Sequence, residues 1–348
     1  MTISDLPLSF DLPKNFNIYF QNSIQNALTE SPFLDQILGY HLGWYDKDKK
    51  PTQYNRGKQI RPLLNLLSCG AYGGNADDAL SMSAAIELLH NFSLIHDDIM
   101  DNSEQRRGRD SVWHIWGRNQ AINAGDGAYG LSFQLLADAE LPTIQPQTII
   151  YAQRLLSKAC VDTVYGQMLD ISFEDREMVS SAEYVQMTSL KTGPLLGAAL
   201  GGGALFAGAP WPVAQSLSTI GRDLGVAFQI QDDILGIWGD TQQTGKSADD
   251  DLTAKKKSFH VIWAMENLPQ SATQELHTLY QNDAPLSPEI TNNIRTILDE
   301  GGVQEAISAV VQGRYDTLVN ALETYYPKKS VYRSELFSII AFIVNRPF

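Results

Sequence analysis

Apolar residues recur at steps of three and four along much of the chain, which is the spacing of one face of an α-helix. The pattern is clear over residues 60–67, 86–95 and 155–168, whereas the alternating runs typical of strands are scarce. It predicts an all-α fold of roughly ten or more helices, too large for a simple four-helix bundle.

Glycine and proline residues interrupt this pattern at three places. Gly73 and Gly74 are typical of a helix end, Pro142 and Pro146 indicate a second boundary, and Pro210 opens a third break. The charged stretch 45–54 predicts a surface loop. Since no linker, low-complexity tract or fixed-period repeat occurs, we expect residues 1–348 to form a single domain.

Residues 192–221 carry no charge and therefore require a test for a membrane span. Glycines at 201–203 and prolines at 194, 210 and 212 interrupt the stretch, so no apolar run reaches spanning length. A pair of buried helices is the better interpretation. The chain contains 43% hydrophobic residues, enough for a large core.

The charge balance limits the possible ligands. With 26 basic and 40 acidic residues the net charge is −14, which makes the chain a poor general binder of nucleic acid or anionic membranes. An anionic ligand must therefore be held by a few placed cations or by metal ions. The spacing of Cys69 and Cys160 fits neither a disulfide framework nor a zinc site, and residues 1–10 lack signal-peptide features, so we expect a cytoplasmic protein.

Two acidic segments lie within apolar helical stretches. In LLHNFSLIHDDIMD (88–101), Asp97 and Asp101 are one helical turn apart, so their charges repel unless a cation lies between them. Asp98 belongs to the same cluster. A solvated helix end is the alternative, but the apolar neighbours argue against it. Carboxylate oxygens are ligands that Mg²⁺ prefers.

The segment VAFQIQDDILGIWGD (226–240) places Asp232 and Asp233 in another apolar helix, where unpaired carboxylates are costly. Two acidic pairs facing one cavity would hold several Mg²⁺ ions. Such ions can bind a diphosphate and neutralise its charge as it leaves.

Basic residues are sparse and flank these segments. Each alone could be a solvated surface charge, but their common position beside acidic motifs favours phosphate contacts. His90 is a candidate phosphate donor, whereas His96 is interpreted as structural, since no zinc-site pattern surrounds it. The candidate cations are Lys58 and Arg61 in GKQIRP, Arg106 and Arg107 in EQRRGR, Lys191 before Thr192-Gly193-Pro194, Lys246 in TGKS, and Lys255, Lys256 and Lys257.

These motifs in this order resemble the trans-isoprenyl diphosphate synthase (polyprenyl synthetase) family. The set comprises GKxxRP, ExxH before SLIHDDxxD, RRG, KTG, FQxxDD and a later GK with a lysine run, over residues 57–257 and more loosely to Arg346. The resemblance implies an isoprenoid synthase fold, with helices around a central cavity, and a homodimer. It also implies head-to-tail condensation of isopentenyl diphosphate with an allylic prenyl diphosphate.

The resemblance also implies a role for each matching residue. The diphosphate of isopentenyl diphosphate would be bound by Lys58, Arg61, His90 and Arg107. Mg²⁺, three ions in all, would be held by Asp97, Asp98 and Asp101 with Arg106 beside them, and by Asp232 and Asp233. The allylic substrate or its cation would be contacted by Lys191, Thr192, Gln229 and Lys246. One departure is Gly236, where many relatives carry a third acid; Asp240 is a weak substitute.

Product length would depend on Phe92 and Ser93, which precede the first acidic motif and would form the cavity floor. We expect geranylgeranyl diphosphate, with fifteen- or twenty-five-carbon products as neighbours; an ordinary core position is the alternative for Phe92. Two other functions remain open. One is a class I terpene cyclase on the same fold, and the other is a non-catalytic partner subunit of a prenyl diphosphate synthase.

Overall fold

A computed structural model of the chain describes residues 12–52, 54, 57–139, 142, 144–174, 176–239, 250–281 and 285–344. Helices dominate this part of the chain, which confirms the all-α prediction and the expected number of helices. The helices are α1 (Leu12–Ala27), α2 (Pro32–His41), α3 (Ile60–Tyr72), α4 (Leu80–Met100), α5 (Val112–Trp116), α6 (Arg118–Ala137), α7 (Pro146–Glu174), α8 (Ser181–Lys191), α9 (Gly193–Phe206), α10 (Trp211–Trp238), α11 (Asp250–Thr253), α12 (Phe259–Asn267), α13 (Gln270–Tyr280), α14 (Pro288–Glu300), α15 (Val303–Tyr325) and α16 (Val331–Val344). A 3₁₀ turn covers Ala76–Ala79, and strands β1 (Gln105–Arg106) and β2 (Arg109–Asp110) form an antiparallel hairpin.

Contacts divide the chain into two compact units. The first contains the described residues up to Cys160, together with Ala198–Ser218 and Tyr326–Leu336. The second contains Val161–Gly197, Thr219–Tyr325 and the described residues from Phe337 onward. The organisation of residues 1–348 as a single domain stays a prediction.

Local residues set the helix ends where the sequence predicts them. Helix α3 stops before Gly73, which adopts a left-handed conformation (φ 105°) that glycine tolerates best. Helix α7 begins at Pro146, and Pro210 directly precedes α10. Helix α8 starts with a capping box, in which the side chains of Ser180 and Glu183 each accept a hydrogen bond from the other's backbone N–H.

The core of the first unit includes helices α3, α4 and α6, and α9 is buried along its whole length, as predicted for the charge-free stretch. A Cβ atom on Gly203 would lie 2.2 Å from the Asn65 carbonyl oxygen, so only glycine allows this approach to α3. The Asn65 amide donates to the Ala199 carbonyl (2.8 Å), and the Ser68 hydroxyl donates to that of Leu200 (2.7 Å). These bonds fix α3, whose first turn carries Arg61.

In the second unit, α12 packs against α8, α13, α14 and α15. Its apolar residues Phe259, Val261, Ile262 and Ala264 are buried. The packing fixes the N-terminus of α12, which presents a backbone N–H to the second acidic segment. None of the helices in the described ranges is long and apolar enough to cross a membrane.

Candidate active site

The first acidic segment forms the end of α4, and its three aspartates differ in exposure. Asp98 is 1% exposed, and its Oδ1 accepts hydrogen bonds from Nε and Nη2 of Arg106, both at 2.7 Å. Burial raises the pKa of the Asp98 carboxyl, an effect that the Arg106 charge opposes. Asp97 is half-buried and Asp101 is exposed. The Asp98 carboxylate is therefore buried and bound by Arg106, while the other two carboxylates are accessible.

The β1–β2 hairpin places Arg106 and Arg107 after this segment. Its strands pair Arg106 with Arg109, so Arg107 and Gly108 form a two-residue turn. Both turn residues have positive φ, 53° and 75°, as a type I′ hairpin turn requires. This conformation is strained for arginine and is retained mainly where the surroundings demand it. It marks Arg107 as a functional candidate.

Arg109 anchors the hairpin to the predicted loop 45–54, within which Tyr45 and Pro51 form a bridge. The Arg109 guanidinium lies 3.8 Å from the ring centre of Tyr40 and 3.9 Å from that of Tyr54. It also donates to the carbonyls of Tyr40 (3.1 Å) and Tyr45 (3.0 Å). Stacking and hydrogen bonding together hold the arginine turn in place.

The side chain of Glu87 is buried (3% exposed) and lies near two opposite charges, those of Arg61 and Arg107. Burial raises the pKa of Glu87, and these two guanidinium groups oppose the rise. Asn91 donates to Glu87 Oε1 at 3.2 Å. A Cβ atom on Gly57 would lie 3.1 Å from Arg107 Nη2, so the GKxxRP segment approaches the hairpin closely. The structure thus brings together two cations that are distant in sequence.

His90 belongs to the same group. Its pKa lies well below the ordinary value because of burial first and then the charges of Arg61 and Arg107. His90 is therefore neutral at pH 7 and can still donate a hydrogen bond. The pKa of His41 also lies well below the ordinary value, because of burial first and then the charges of Arg107 and Arg106, so His41 is neutral too. Lys58 is exposed on the loop before α3. Cations and neutral donors gathered this way suit an anionic ligand.

The second acidic segment lies within α10, and its two aspartates also differ. Asp232 is exposed, whereas Asp233 is 2% exposed. Asp233 Oδ2 accepts hydrogen bonds from the Tyr184 hydroxyl (2.6 Å) and the Phe259 backbone N–H (2.8 Å). Its Oδ1 accepts one from Nε2 of Gln229 (3.3 Å). Burial and then the Asp233 charge raise the pKa of Tyr184 well above its usual value, so its hydroxyl remains a donor.

The junction between α8 and α9 lies beside this segment. The Thr192 hydroxyl donates to Oε1 of Gln229 at 3.1 Å, and Lys191 Nζ lies 2.5 Å from Asp170 Oδ2. Asp170, on α7, and Glu87 are site residues that the sequence interpretation missed. Both are acids within helical stretches that contain many apolar residues, the signal that identified the aspartate pairs.

The remaining predicted residues lie in separate places. Phe92 packs edge-on against His96 (ring centres 4.8 Å apart) and contacts Tyr129 (5.5 Å), while the Ser93 hydroxyl donates to the His90 carbonyl (2.8 Å). Gly236 is half-buried on α10. Lys246, Asp240 and Arg346 lie outside the described residues.

The donor chemistry fits Mg²⁺. Within the described ranges, no three His, Cys, Asp or Glu side chains form a ready-made metal cage. Mg²⁺ does not need one, because it keeps several waters and is commonly held by one or two carboxylates plus substrate phosphates. Asp97 and Asp101, one turn apart, and the exposed Asp232 provide oxygen ligands of this kind.

Comparison with known proteins shows the family of this chain. The family profile "Polyprenyl synthetase" matches residues 47–297. The (2E,6E)-farnesyl diphosphate synthase of Mycobacterium tuberculosis is 40% identical over 67% of this chain, a match that spans 64% of the relative's own length. The geranylgeranyl diphosphate synthase of M. tuberculosis is 34% identical, over 83% of this chain and 81% of the relative.

Solved structures show the same fold. The polyprenyl synthetase from Streptomyces coelicolor A3(2) matches with a TM-score of 0.86 and 32% identity, over 95% of this chain and 97% of that one. The geranylgeranyl pyrophosphate synthetase from Pyrococcus horikoshii matches with 0.82 and 30%, over 96% and 99%. The chain belongs to the polyprenyl synthetase family and has its isoprenoid synthase fold.

Proposed function

We propose that this chain is a head-to-tail prenyltransferase that condenses isopentenyl diphosphate with an allylic diphosphate into a short-chain all-trans prenyl diphosphate. The group of Arg61, Arg107 and neutral His90 around Glu87 carries the proposal. It provides an anion site distinct from the two aspartate segments, which a terpene cyclase with one diphosphate does not need. The names of the relatives support the same function.

In this proposal the two acidic segments face one cavity in a single domain, and three Mg²⁺ ions bind there. Asp101 and Asp232 are exposed and Asp97 is half-buried, and this accessibility favours these three as metal ligands, with Asp98 and Asp233 as their supports. Bound Mg²⁺ would neutralise the charge that develops on the departing diphosphate.

The protein's own residues bind, orient and shield the substrates. Lys58, Arg61, His90 and Arg107 hold isopentenyl diphosphate. Lys191, Thr192, Gln229 and Lys246 contact the allylic substrate, and Arg106 contributes a positive charge to its diphosphate. The allylic C–O bond breaks, and its electron pair leaves with diphosphate. The double bond of isopentenyl diphosphate forms the new C–C bond, and the released diphosphate accepts the proton that is lost. No protein nucleophile is required.

The proposed product is geranylgeranyl diphosphate, with fifteen- and twenty-five-carbon products as the nearest alternatives. Phe92 supports a limited chain length, because its ring packs against that of Tyr129 and adds bulk on α4 before the acidic segment. Ser93 occupies the neighbouring position on the same helix. Relatives with names for both fifteen- and twenty-carbon products occur, so their names do not separate the lengths.

A homodimer is also part of the proposal. Helix α7 exposes an apolar stripe at helical spacing. The periodicity of these residues predicts the helix correctly, although the face that they form is not buried within the chain. A second copy could cover it. The exposed fractions are 66% for Val161, 45% for Val164, 48% for Tyr165, 62% for Met168 and 41% for Ile171. The two free buried thiols, Cys69 and Cys160, support the cytoplasmic location.

Substitution of the stripe tests the dimer. Val161→Glu should halve the mass measured by light scattering, while Gln274→Glu, which adds the same charge at an exposed position of α13, should not. An unchanged mass for both would remove this stripe from the interface.

Product analysis tests the activity. Purified protein receives Mg²⁺ and dimethylallyl, geranyl or farnesyl diphosphate, each with and without isopentenyl diphosphate. We expect elongated prenyl diphosphates only when isopentenyl diphosphate is present. Cyclic hydrocarbons in its absence would instead identify a terpene cyclase. If the purified protein is inactive by itself but alters the product of a partner synthase, it is a non-catalytic subunit.

A further inference from the structure

Asp233 and Gln229 lie one turn apart on α10, and their side chains are hydrogen-bonded to each other (3.3 Å). A carboxylate can only accept hydrogen bonds, so Gln229 must turn its amide nitrogen towards Asp233. The amide oxygen then faces the opposite way, where it accepts the Thr192 hydroxyl (3.1 Å). The orientation of the Gln229 amide is therefore fixed at both ends.

Asp233 is itself held firmly. The Tyr184 hydroxyl and the first backbone N–H of α12 bind its Oδ2, and Gln229 binds its Oδ1, so both oxygens are engaged in a side chain that is 2% exposed. Its neighbour Asp232 is exposed on the same helix. The adjacent acids thus have different surroundings and are suited to different tasks.

We infer that Asp233 is a positioning residue that acts through Gln229: it orients the amide so that the oxygen, and not the N–H₂ group, faces the developing allylic cation. This inference rests on the proposed function. An oriented oxygen dipole stabilises positive charge, whereas a reversed amide would place hydrogens there. Asp232, and not Asp233, then remains the metal ligand of this segment.

Asp233→Asn tests the inference with little change in volume. An asparagine can present either its oxygen or its nitrogen, so it no longer selects one orientation of Gln229. We expect kcat to fall by about 10- to 100-fold. We also expect a larger share of the allylic substrate to be released as alcohol, because the poorly stabilised cation is captured by water. The Mg²⁺ concentration for half-activation should stay at the wild-type value, whereas Asp232→Asn should raise it.

A double-mutant cycle separates positioning from general damage. If Asp233 acts through Gln229, Asp233→Asn should lower kcat much less in a Gln229→Ala background than in the wild type. Tyr184→Phe removes another donor from the same carboxylate without touching Gln229. It should lower the unfolding temperature while leaving the share of alcohol product at the wild-type value.

A further measurement does not depend on activity. In protein labelled with [¹⁵N]glutamine, the Gln229 side-chain amide, assigned by its loss in Gln229→Ala, should exchange with solvent slowly and should exchange faster in Asp233→Asn. Three results would each overturn the inference. They are an unchanged amide exchange rate in Asp233→Asn, an equal loss of kcat from Asp233→Asn in the wild-type and Gln229→Ala backgrounds, and a raised Mg²⁺ requirement in Asp233→Asn. A wild type that forms no prenyl diphosphate would instead reject the proposed function, while slow exchange would still establish the fixed amide.

Discussion

The two acidic segments share a pattern and differ in how it is stabilised. In each, the first aspartate of the pair is more accessible, Asp97 on α4 and Asp232 on α10, while the second, Asp98 or Asp233, is buried and hydrogen-bonded. Asp98 is paired with a charged guanidinium, that of Arg106. Among the described residues, Asp233 accepts from the Tyr184 hydroxyl, the Gln229 side-chain amide and the Phe259 backbone N–H.

This difference has an electrostatic consequence. The Arg106 guanidinium offsets the negative charge of Asp98, whereas the hydroxyl, amide and backbone donors that bind Asp233 are themselves neutral. The comparison shows that each adjacent pair has one accessible and one buried carboxylate, which is the basis for proposing different roles for the two. It also predicts that substitutions within a pair have unequal effects.

The largest effect should follow removal of an accessible acid. Asp97→Asn and Asp101→Asn should each lower kcat by about 10³-fold, because a lost metal ligand costs several kcal/mol of transition-state stabilisation. Asp98→Asn should instead lower the unfolding temperature and leave the Mg²⁺ requirement unchanged. Asp138→Asn changes an exposed acid at the end of α6 and serves as the control. Equal Mg²⁺ requirements in all of these variants would contradict the division within the pair.

A smaller effect should distinguish the arginine turn of the hairpin from the junction of α8 and α9 by the substrate whose KM changes. Arg107→Asn keeps the turn, since asparagine tolerates positive φ, but removes the guanidinium. The KM for isopentenyl diphosphate should rise about 10- to 100-fold, which corresponds to a lost charge-assisted hydrogen bond. Steady-state kinetics with each substrate varied checks this. Lys191→Gln is the counterpart in the second region and should raise the KM for the allylic diphosphate instead. A rise in the same KM for both variants would refute the assignment.

Features that depend on neighbouring residues could be predicted from the sequence. The helix breaks at Gly73, Pro146 and Pro210 follow from backbone preferences of single residues. The acidic pairs were recognisable because carboxylates such as Asp97 and Asp232 are unexpected among apolar helical residues. Periodicity likewise predicts that residues 155–168 are helical.

Features that depend on distant parts of the chain could not be predicted. Asp233 is buried because Tyr184 and Phe259, 49 and 26 residues away, donate to it. The same periodicity that predicts α7 does not reveal that Val161 and Met168 are exposed. The sequence therefore indicates which residues carry the chemistry, while long-range packing decides the direction that each one faces.

Acid should weaken the region around the second segment through His260. This side chain is fully buried on α12, and burial, followed by the charge of Lys256, lowers its pKa to about 3. Because the unfolded chain binds a proton near pH 6.5, stability is lost as the pH falls below that value. Between pH 7 and 5.5 the unfolding free energy of the wild type should fall by about 1.3 kcal/mol more than that of His260→Gln. Urea titrations at both pH values measure this difference, and parallel losses would exclude His260 as the source.

Phe92→Ala should have the smallest effect on rate and should change only the product. Phe92 lies on α4, five residues before Asp97, which is about 7.5 Å along the helix axis at ~1.5 Å per residue. Removal of the phenyl ring would lower the floor against which the growing chain stops, so the main product should lengthen by one isoprene unit. The rate should change only a few-fold, because no group that contacts a diphosphate is altered.

The aromatic row on α6 provides the matched control for Phe92→Ala. Phe133 packs against Tyr129, which in turn contacts Phe92, so Phe133→Ala removes the same ring one contact further away. Chromatography of the dephosphorylated products should show a longer chain for Phe92→Ala and the wild-type length for Phe133→Ala. If neither variant changes the length, Phe92 is an ordinary core residue and the floor lies elsewhere. The two acidic segments would then differ in how their buried aspartates are stabilised, but the first would have no special part in setting chain length.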